Sequence, residues 1–171
     1  MNTLSQEKLK ELIEYDESTG RLTWKITVSP RGVAGTDVGH IDRGGYRRCR
    51  LYGKPYPLTR LIWLYMTGEM PSDIVDHING VPSDNRWCNL RIANVTQNNQ
   101  NKHRSARNSS GYKGVYFDNR SRKWRAEIVV SKKRIRLGRF SNVEDAARAY
   151  RVAALEMFGE FAYIGELQPK N

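Results

Sequence analysis

Residues 104–111, Arg-Ser-Ala-Arg-Asn-Ser-Ser-Gly, divide the chain. They are small, polar and basic and lack apolar periodicity, so they read as a linker rather than part of a core. The hydrophobic pattern differs on the two sides. A chain of 171 residues is long enough for one ordinary domain or two small ones. The break argues for two modules, residues 1–103 and 111–165, joined by a linker at 104–110 and followed by a tail at 166–171. Only 39% of the residues are hydrophobic, so each core must be modest. Aromatic residues, at 10%, help such cores hold together.

In the first module, Leu4, Leu9, Leu12 and Ile13 recur at helical spacing, which predicts a helix over residues 4–15. Asp16–Gly20 is a turn, and residues 21–27 alternate as a strand. Residues 31–45 are glycine-rich and irregular. Residues 46–52 and 56–63 read as two strands of a hairpin around Gly53-Lys54-Pro55, and the run from Leu61 becomes helical until Gly68. Asp76-His77 ends a short apolar run that suits a strand, residues 79–87 form a loop, and residues 89–95 form a second strand. Thr96 is placed to cap a final helix over residues 97–104.

Beyond the linker, residues 111–118, 123–131 and 133–140 read as three short strands. Residues 141–159 read as a long amphipathic helix. Ser141 stands three residues before Glu144, a capping-box signature, and Gly159 ends the helix. Its predicted buried stripe is Ala146, Ala147, Tyr150, Ala153, Ala154 and Met157, rich in alanine so that a sheet can approach closely. Strand alternation sorts the side chains. Trp124, Ala126 and Ile128 point one way; Arg125, Glu127 and Val129 point the other. Ile135 and Leu137 point inward, leaving Arg134 and Arg136 outward. The fold class is α+β.

Charge narrows the partner. The chain carries a formal net charge of +11, and residues 102–139 alone hold 13 Lys and Arg against only Asp118 and Glu127. That block is interleaved with aromatic and β-branched residues, so it is a folded basic surface. Such a surface meets polyanions, because neutralising phosphates releases counterions. The longest apolar patch, Leu61–Met66, is far too short to span a membrane. Cys49 and Cys88 are alone and widely spaced, as reduced intracellular thiols are, and lack the paired spacing of a zinc site. A cytoplasmic location is expected.

Seven asparagines fall among the 28 residues 75–102, around one Asp76-His77 pair. Asparagine favours neither helix nor strand, so such a cluster needs a reason. Phosphodiester hydrolysis needs a base to deprotonate water and a cation to offset charge on the phosphate. Histidine suits the first task, and oxygen donors such as Asp and Asn suit Mg²⁺. Asp76-His77, Gly80, Asp84-Asn85-Arg86, Asn89-Leu90 and then Asn98 follow a pattern that resembles the HNH endonuclease family, in its phage and intron-encoded homing branch. Residues 15–25, 44–56 and 60–71 extend the resemblance upstream, so that it covers residues 10–102.

The resemblance implies a ββα-metal fold. It makes His77 the general base, Asp76 and Asn98 the ligands of a divalent ion (Mg²⁺, with Mn²⁺ possible), and Asn89 the residue that holds the loop and orients His77. Asn99 is the nearest rival to Asn98 as a ligand. Asn79, Asn85 and Asn94 read as loop and turn residues. Thr59 departs from the family, many of whose members carry histidine there. His40 reads as a structural or surface residue, and His103 as either solvated or a phosphate contact.

The second module resembles the plant ethylene-response-factor (Apetala-type) DNA-binding domain. Residues 111–118, 123–129 and 134–159 and the closing Phe161–Ile164 carry that match. The resemblance implies three antiparallel strands on one helix, with the sheet entering the major groove of duplex DNA. Arg125, Arg134 and Arg136 then donate to guanine, and Glu127 accepts from cytosine or orients an arginine. Tyr116 and Lys113 flank them, and Arg120, Arg122, Lys123, Lys132 and Lys133 meet phosphates.

Together these readings describe a site-preferring DNA endonuclease, expected to be a homing enzyme. Acting as a monomer with one active site, it should nick rather than cut both strands, although dimerisation would permit double-strand breaks. Its rival is a catalytically silent DNA-binding regulator. Because the basic module lacks the stacking aromatics usual in single-strand binders, it is expected to bind duplex DNA more tightly than RNA of equal length. Competition between the two in a gel-shift titration checks this.

Overall fold

The computed structural model describes residues 4–102 and 108–163, and the chain divides into two compact units, residues 1–95 and 96–171. His103, residues 104–107 of the predicted linker, Ile164 and the 166–171 tail lie outside the described residues.

In the first unit, helix α1 (Gln6–Leu12) starts at Ser5, whose hydroxyl accepts from the Lys8 amide at 3.3 Å. The helix stops short of the predicted span. Ile13 turns to extended backbone, and strand β1 (Ile13–Asp16) buries Ile13 and Tyr15 alternately. The two-residue period there outweighs the helical one because β1 pairs with β2 (Arg21–Trp24). Asp16 stabilises the connecting turn by accepting from Ser18 and Thr19, and those bonds hold its carboxyl down at about 2.

Strands β3 (His40–Ile41), β4 (Arg47–Leu51) and β5 (Lys54–Pro57) form an antiparallel sheet in that order. The β4–β5 turn is Tyr52-Gly53, both at positive φ, as a tight two-residue hairpin needs. The strand predicted over residues 56–63 ends at Pro57. Helix α2 (Leu58–Thr67) takes over because Leu58, Leu61, Ile62 and Leu64 bury one helical stripe, and it stops at Gly68 in the left-handed region.

Strands β6 (Ile74–His77) and β7 (Leu90–Ala93) pair antiparallel, with Asp76 opposite Arg91 and His77 opposite Leu90. A 3₁₀ turn over Trp87–Asn89 removes Asn89 from the second strand predicted at 89–95. One core gathers Leu9, Ile13, Leu22, Trp24, Leu61 and Ile62, with Val75 and Leu90 from the β6–β7 hairpin.

Helix α3 (Val95–Asn101) begins at the division between the units, one residue before the predicted cap, so Thr96 lies inside its first turn. In the second unit, β8 (Val115–Asp118), β9 (Lys123–Val130) and β10 (Lys133–Phe140) form an antiparallel sheet with β9 central. Helix α4 (Val143–Phe158) packs on it through Ala146, Ala147, Tyr150, Ala153 and Ala154. Met157 is exposed instead of completing that stripe, and Ala162 joins the core after the helix ends. The cap is Asn142, not Ser141: Asn142 is the last extended residue, and its side chain accepts from the Asp145 amide at 2.8 Å. Asn108 and Ser110, at the end of the predicted linker, bond the Tyr112 carbonyl and so fold with this unit.

Two tight contacts fix the entry to β8. Gly114 has φ +72°, and an added Cβ would stand 2.2 Å from the Tyr150 ring and 2.6 Å from the Glu127 carbonyl. Lys113 turns its ammonium onto the Gln100 and Lys102 carbonyls, each at 2.7 Å, at the end of α3. Burial pushes its pKa down to about 8.

Gly114→Ala should therefore destabilise the second unit by more than about 2 kcal/mol in thermal unfolding, since both the backbone and the space forbid a side chain. Lys113→Met should cost about 1–3 kcal/mol by leaving two carbonyls without their donor. Lys113 gives a pH signature as well. Between its folded pKa of about 8 and an unfolded value of about 10.4, the unfolded chain binds more protons. Stability should accordingly rise with pH across that window in the wild type and lose that rise in Lys113→Met.

Candidate functional site

Asp76 and His77 end β6 and are 7% and 5% exposed. Antiparallel register sets Arg91 across from Asp76, with Nη2 and Nε at 3.1 and 3.2 Å from Oδ2. A carboxylate this buried requires such a partner. The His77 Nε2 atom lies 3.0 Å from Asn85 Oδ1. An amide oxygen only accepts, so this contact calls for the proton on Nε2, which in a neutral ring puts the lone pair on Nδ1.

The loop between β6 and β7 is held by its own polar side chains. Asn89 Oδ1 accepts from the Asn79 amide at 3.0 Å, and its Nδ2 donates to Asn79 Oδ1 and the Asp84 carbonyl at 3.0 and 2.7 Å. Asp84 pairs with Arg86 at 2.7 Å, and that pairing, with help from Asn79, holds its carboxyl down at about 2. Asn89 thus joins Asn79 and Asp84 across the loop. The imidazole Nε2 meets Asn85, which is expected from the sequence to be a turn residue. Its only sequence signal is its place in the Asp-Asn-Arg triplet eight residues after His77.

Asn98 lies half-buried on α3, while the rival Asn99 is exposed. Thr59 is buried in the first turn of α2, and His40 is exposed on β3. The Tyr46 ring stands 6.2 Å from His77. Among the described residues no group of three or more His, Cys, Asp and Glu side chains is placed to hold a metal ion. One carboxylate and one amide oxygen suit an ion such as Mg²⁺, which keeps several waters and takes substrate phosphate as a further ligand.

In the second unit, cross-strand pairing gathers the charged residues on the sheet face opposite α4. Tyr116 pairs with Arg125, and Glu127 with Arg136. Glu127 is buried beneath three guanidinium groups: Arg125, Arg134 and Arg136 place Nε atoms 2.9, 3.4 and 3.9 Å from its carboxylate. Of the two roles open to Glu127, orienting arginines is the one this burial favours. Arg134 and Arg136 extend into solvent, their side chains 68% and 81% exposed.

The simple alternation fails near the end of β10. A bulge between Arg136 and Gly138 sets Arg139 opposite Arg125, on the charged face, where its Nε lies 3.4 Å from Asp118. Arg139 is a basic residue of that face that alternation missed, and the glycine within the strand was its signal. Ile135 keeps its predicted side but is 37% exposed because β10 is an edge strand.

Arg120, Arg122, Lys123, Lys132 and Lys133 are exposed around the two turns of the sheet. Lys113 is the exception among the predicted contacts, since its ammonium is engaged with the α3 carbonyls rather than displayed on the open face.

The family model for HNH endonucleases matches residues 56–100, and the AP2 domain model matches residues 110–160. A protein of Acanthamoeba polyphaga mimivirus, named as an uncharacterized HNH endonuclease, is 34% identical over 125 residues, which are 72% of this chain and 64% of that protein. The chain therefore spans just under two thirds of that relative. Protein 3.8 of Escherichia phage T7 is 29% identical over 102 residues, 59% of this chain and 84% of that protein. No solved structure matches. One chain thus carries a match to the HNH endonuclease family over residues 56–100 and a match to the AP2 domain over residues 110–160.

Proposed function

We propose that this chain is a metal-dependent DNA endonuclease whose AP2 domain supplies site preference. The observation that carries the reading is the buried His77 on β6, beside Asp76 and under a loop tied by Asn89, in a chain that also holds an arginine-lined sheet. His77 Nδ1 takes a proton from water as the water oxygen attacks phosphorus, and the opposite P–O bond breaks. Asp76 and Asn98 would hold a divalent ion, Mg²⁺ or Mn²⁺, whose charge offsets that gathering on the phosphate and leaving oxygen. This reading assigns the segment 74–101 to the ββα-metal motif of the family.

Arg125, Arg134, Arg136 and Arg139 read bases or phosphates in the major groove, with Tyr116 beside them and Glu127 fixing their directions. The lysines and arginines at the turns add phosphate contacts that hold register. Tethering a reader to a cutter raises the local concentration of the chosen site without new contacts at the scissile bond. The nuclease module extends through residue 103 and the reader from 111 to 165. As a monomer with one active site the protein nicks one strand, in the manner of a homing endonuclease. It acts inside the cell, in keeping with its two free cysteines.

With Mg²⁺ or Mn²⁺, the protein should convert supercoiled plasmid or phage genomic DNA to nicked product. His77→Ala should slow this by roughly 10²- to 10⁴-fold while duplex binding is retained. Arg136→Ala should instead weaken discrimination between sites, by about 1–3 kcal/mol per lost base contact. No cleavage of any DNA, with tight duplex binding intact, would replace this reading by that of a DNA-binding regulator.

A further inference from the structure

We propose that Asn85 is the positioning residue of His77 and that the β1–β2 hairpin, which lies upstream of the matched HNH domain, holds Asn85 in place. The inference rests on the reading of His77 as the base and adds residues to that site. Three contacts from one hairpin converge on Asn85–Trp87. The Tyr15 hydroxyl donates to the Asn85 carbonyl at 2.7 Å, in a buried bond. The Trp87 amide donates to the Glu17 carbonyl at 3.2 Å. Gly20, at φ +75°, packs so closely that an added Cβ would stand 2.5 Å from the Asn85 carbonyl carbon and the Arg86 nitrogen.

The plainer view is that Asn85 is a turn residue. A turn asparagine spends its side chain on nearby backbone. In this loop that work falls to others: Asn79 accepts from the Val81 amide at 2.9 Å, and Asp84 accepts from the Arg86 amide at 3.4 Å. Asn85 is 5% exposed, and its side-chain oxygen goes to the imidazole across eight residues. That bond selects the Nε2–H tautomer and leaves the Nδ1 lone pair to accept a proton. Tyr15 is itself anchored, 8% exposed and edge-on to Tyr65 with ring centroids 5.8 Å apart. Burial raises its pKa, so its hydroxyl remains a donor. The nearby carboxylates of Asp76 and Asp84 pair with Arg91 and Arg86.

The test has one arm without catalysis and one with it. In the metal-free, DNA-free full chain labelled with ¹⁵N, the His77 ring nitrogens are assigned by comparison with His77→Ala and observed near pH 8.5, roughly two units above an ordinary histidine pKa. The wild type should show the Nε2–H tautomer. Asn85→Ala should lose that preference, and Asn85→Asp, which keeps an acceptor in place, should restore it. In single-turnover cleavage, Asn85→Ala should be slower by roughly ten- to a hundredfold, the range for removing a hydrogen-bond partner that orients a metal-bound histidine. Its DNA affinity should be unchanged, and Asn85→Asp should recover part of the rate. Tyr15→Phe should slow the step several-fold, again without a change in DNA affinity.

A wild type in the Nδ1–H tautomer overturns the proposal, as does Asn85→Ala with wild-type tautomer and rate. Should Asn85→Ala fail to fold, the wild-type spectrum, Asn85→Asp and Tyr15→Phe decide the matter. If no variant cleaves DNA but the tautomer follows Asn85 as described, the positioning role stands and the nuclease reading falls.

Discussion

The β6–β7 hairpin is too small to stand alone, and the arrangement of the first unit follows from that. Four residues in each strand give it little apolar surface, of which Val75 and Leu90 reach the common core. A hairpin of that size is marginal in water unless another element covers one face. Leu9, Ile13, Leu61 and Ile62 provide the cover, from α1, β1 and α2. The upstream region is therefore what allows Asp76 and His77 to be buried at all. Its β1–β2 turn also supports the loop from the other side, through the contacts made by Tyr15, Glu17 and Gly20.

Both units use the same electrostatic device. Asp76 is buried opposite Arg91, and Glu127 is buried beneath Arg125, Arg134 and Arg136. An ionised carboxylate withdrawn from water is tolerated only when cations and hydrogen bonds replace its hydration. The stability gained is small, but direction is gained. The guanidinium groups above Glu127 share one anchor and so start from fewer conformations than free surface arginines. Phosphates or base edges meeting them would find donors already fanned out on one sheet face. In the first unit the ion pair and the asparagine network act on the same short stretch, around the histidine.

Much of this was legible in the residues. The alanine-rich stripe of α4, the strands of the second unit, the Asp-His strand end and the glycine that stops α2 all follow from periodicity and turn chemistry. Departures arose where two local signals overlapped. Ile13 belongs to both a helical and an alternating pattern, and pairing with Trp24 on β2 settles it. Residues 58–63 look extended beside Pro57, yet burial of Leu58, Leu61 and Ile62 on one stripe makes them helical. Ser141 and Asn142 are both good caps, and backbone geometry selects the second. One bulge, at Gly138, turns Arg139 onto the charged face.

By itself the sequence determined the two-part organisation, the concentration of positive charge and the identity of the Asp-His-Asn motif. Those depend on composition, spacing and short-range periodicity, which are local properties of the chain. Tertiary structure alone decided which asparagine touches His77, that Lys113 binds α3 carbonyls, and that Glu127 lies beneath its arginines rather than among them. Each of those outcomes is a contact between segments brought together by folding. Several chemically equivalent side chains could have made it, and only the packed geometry, with its requirement that every buried polar group find a partner, chooses among them.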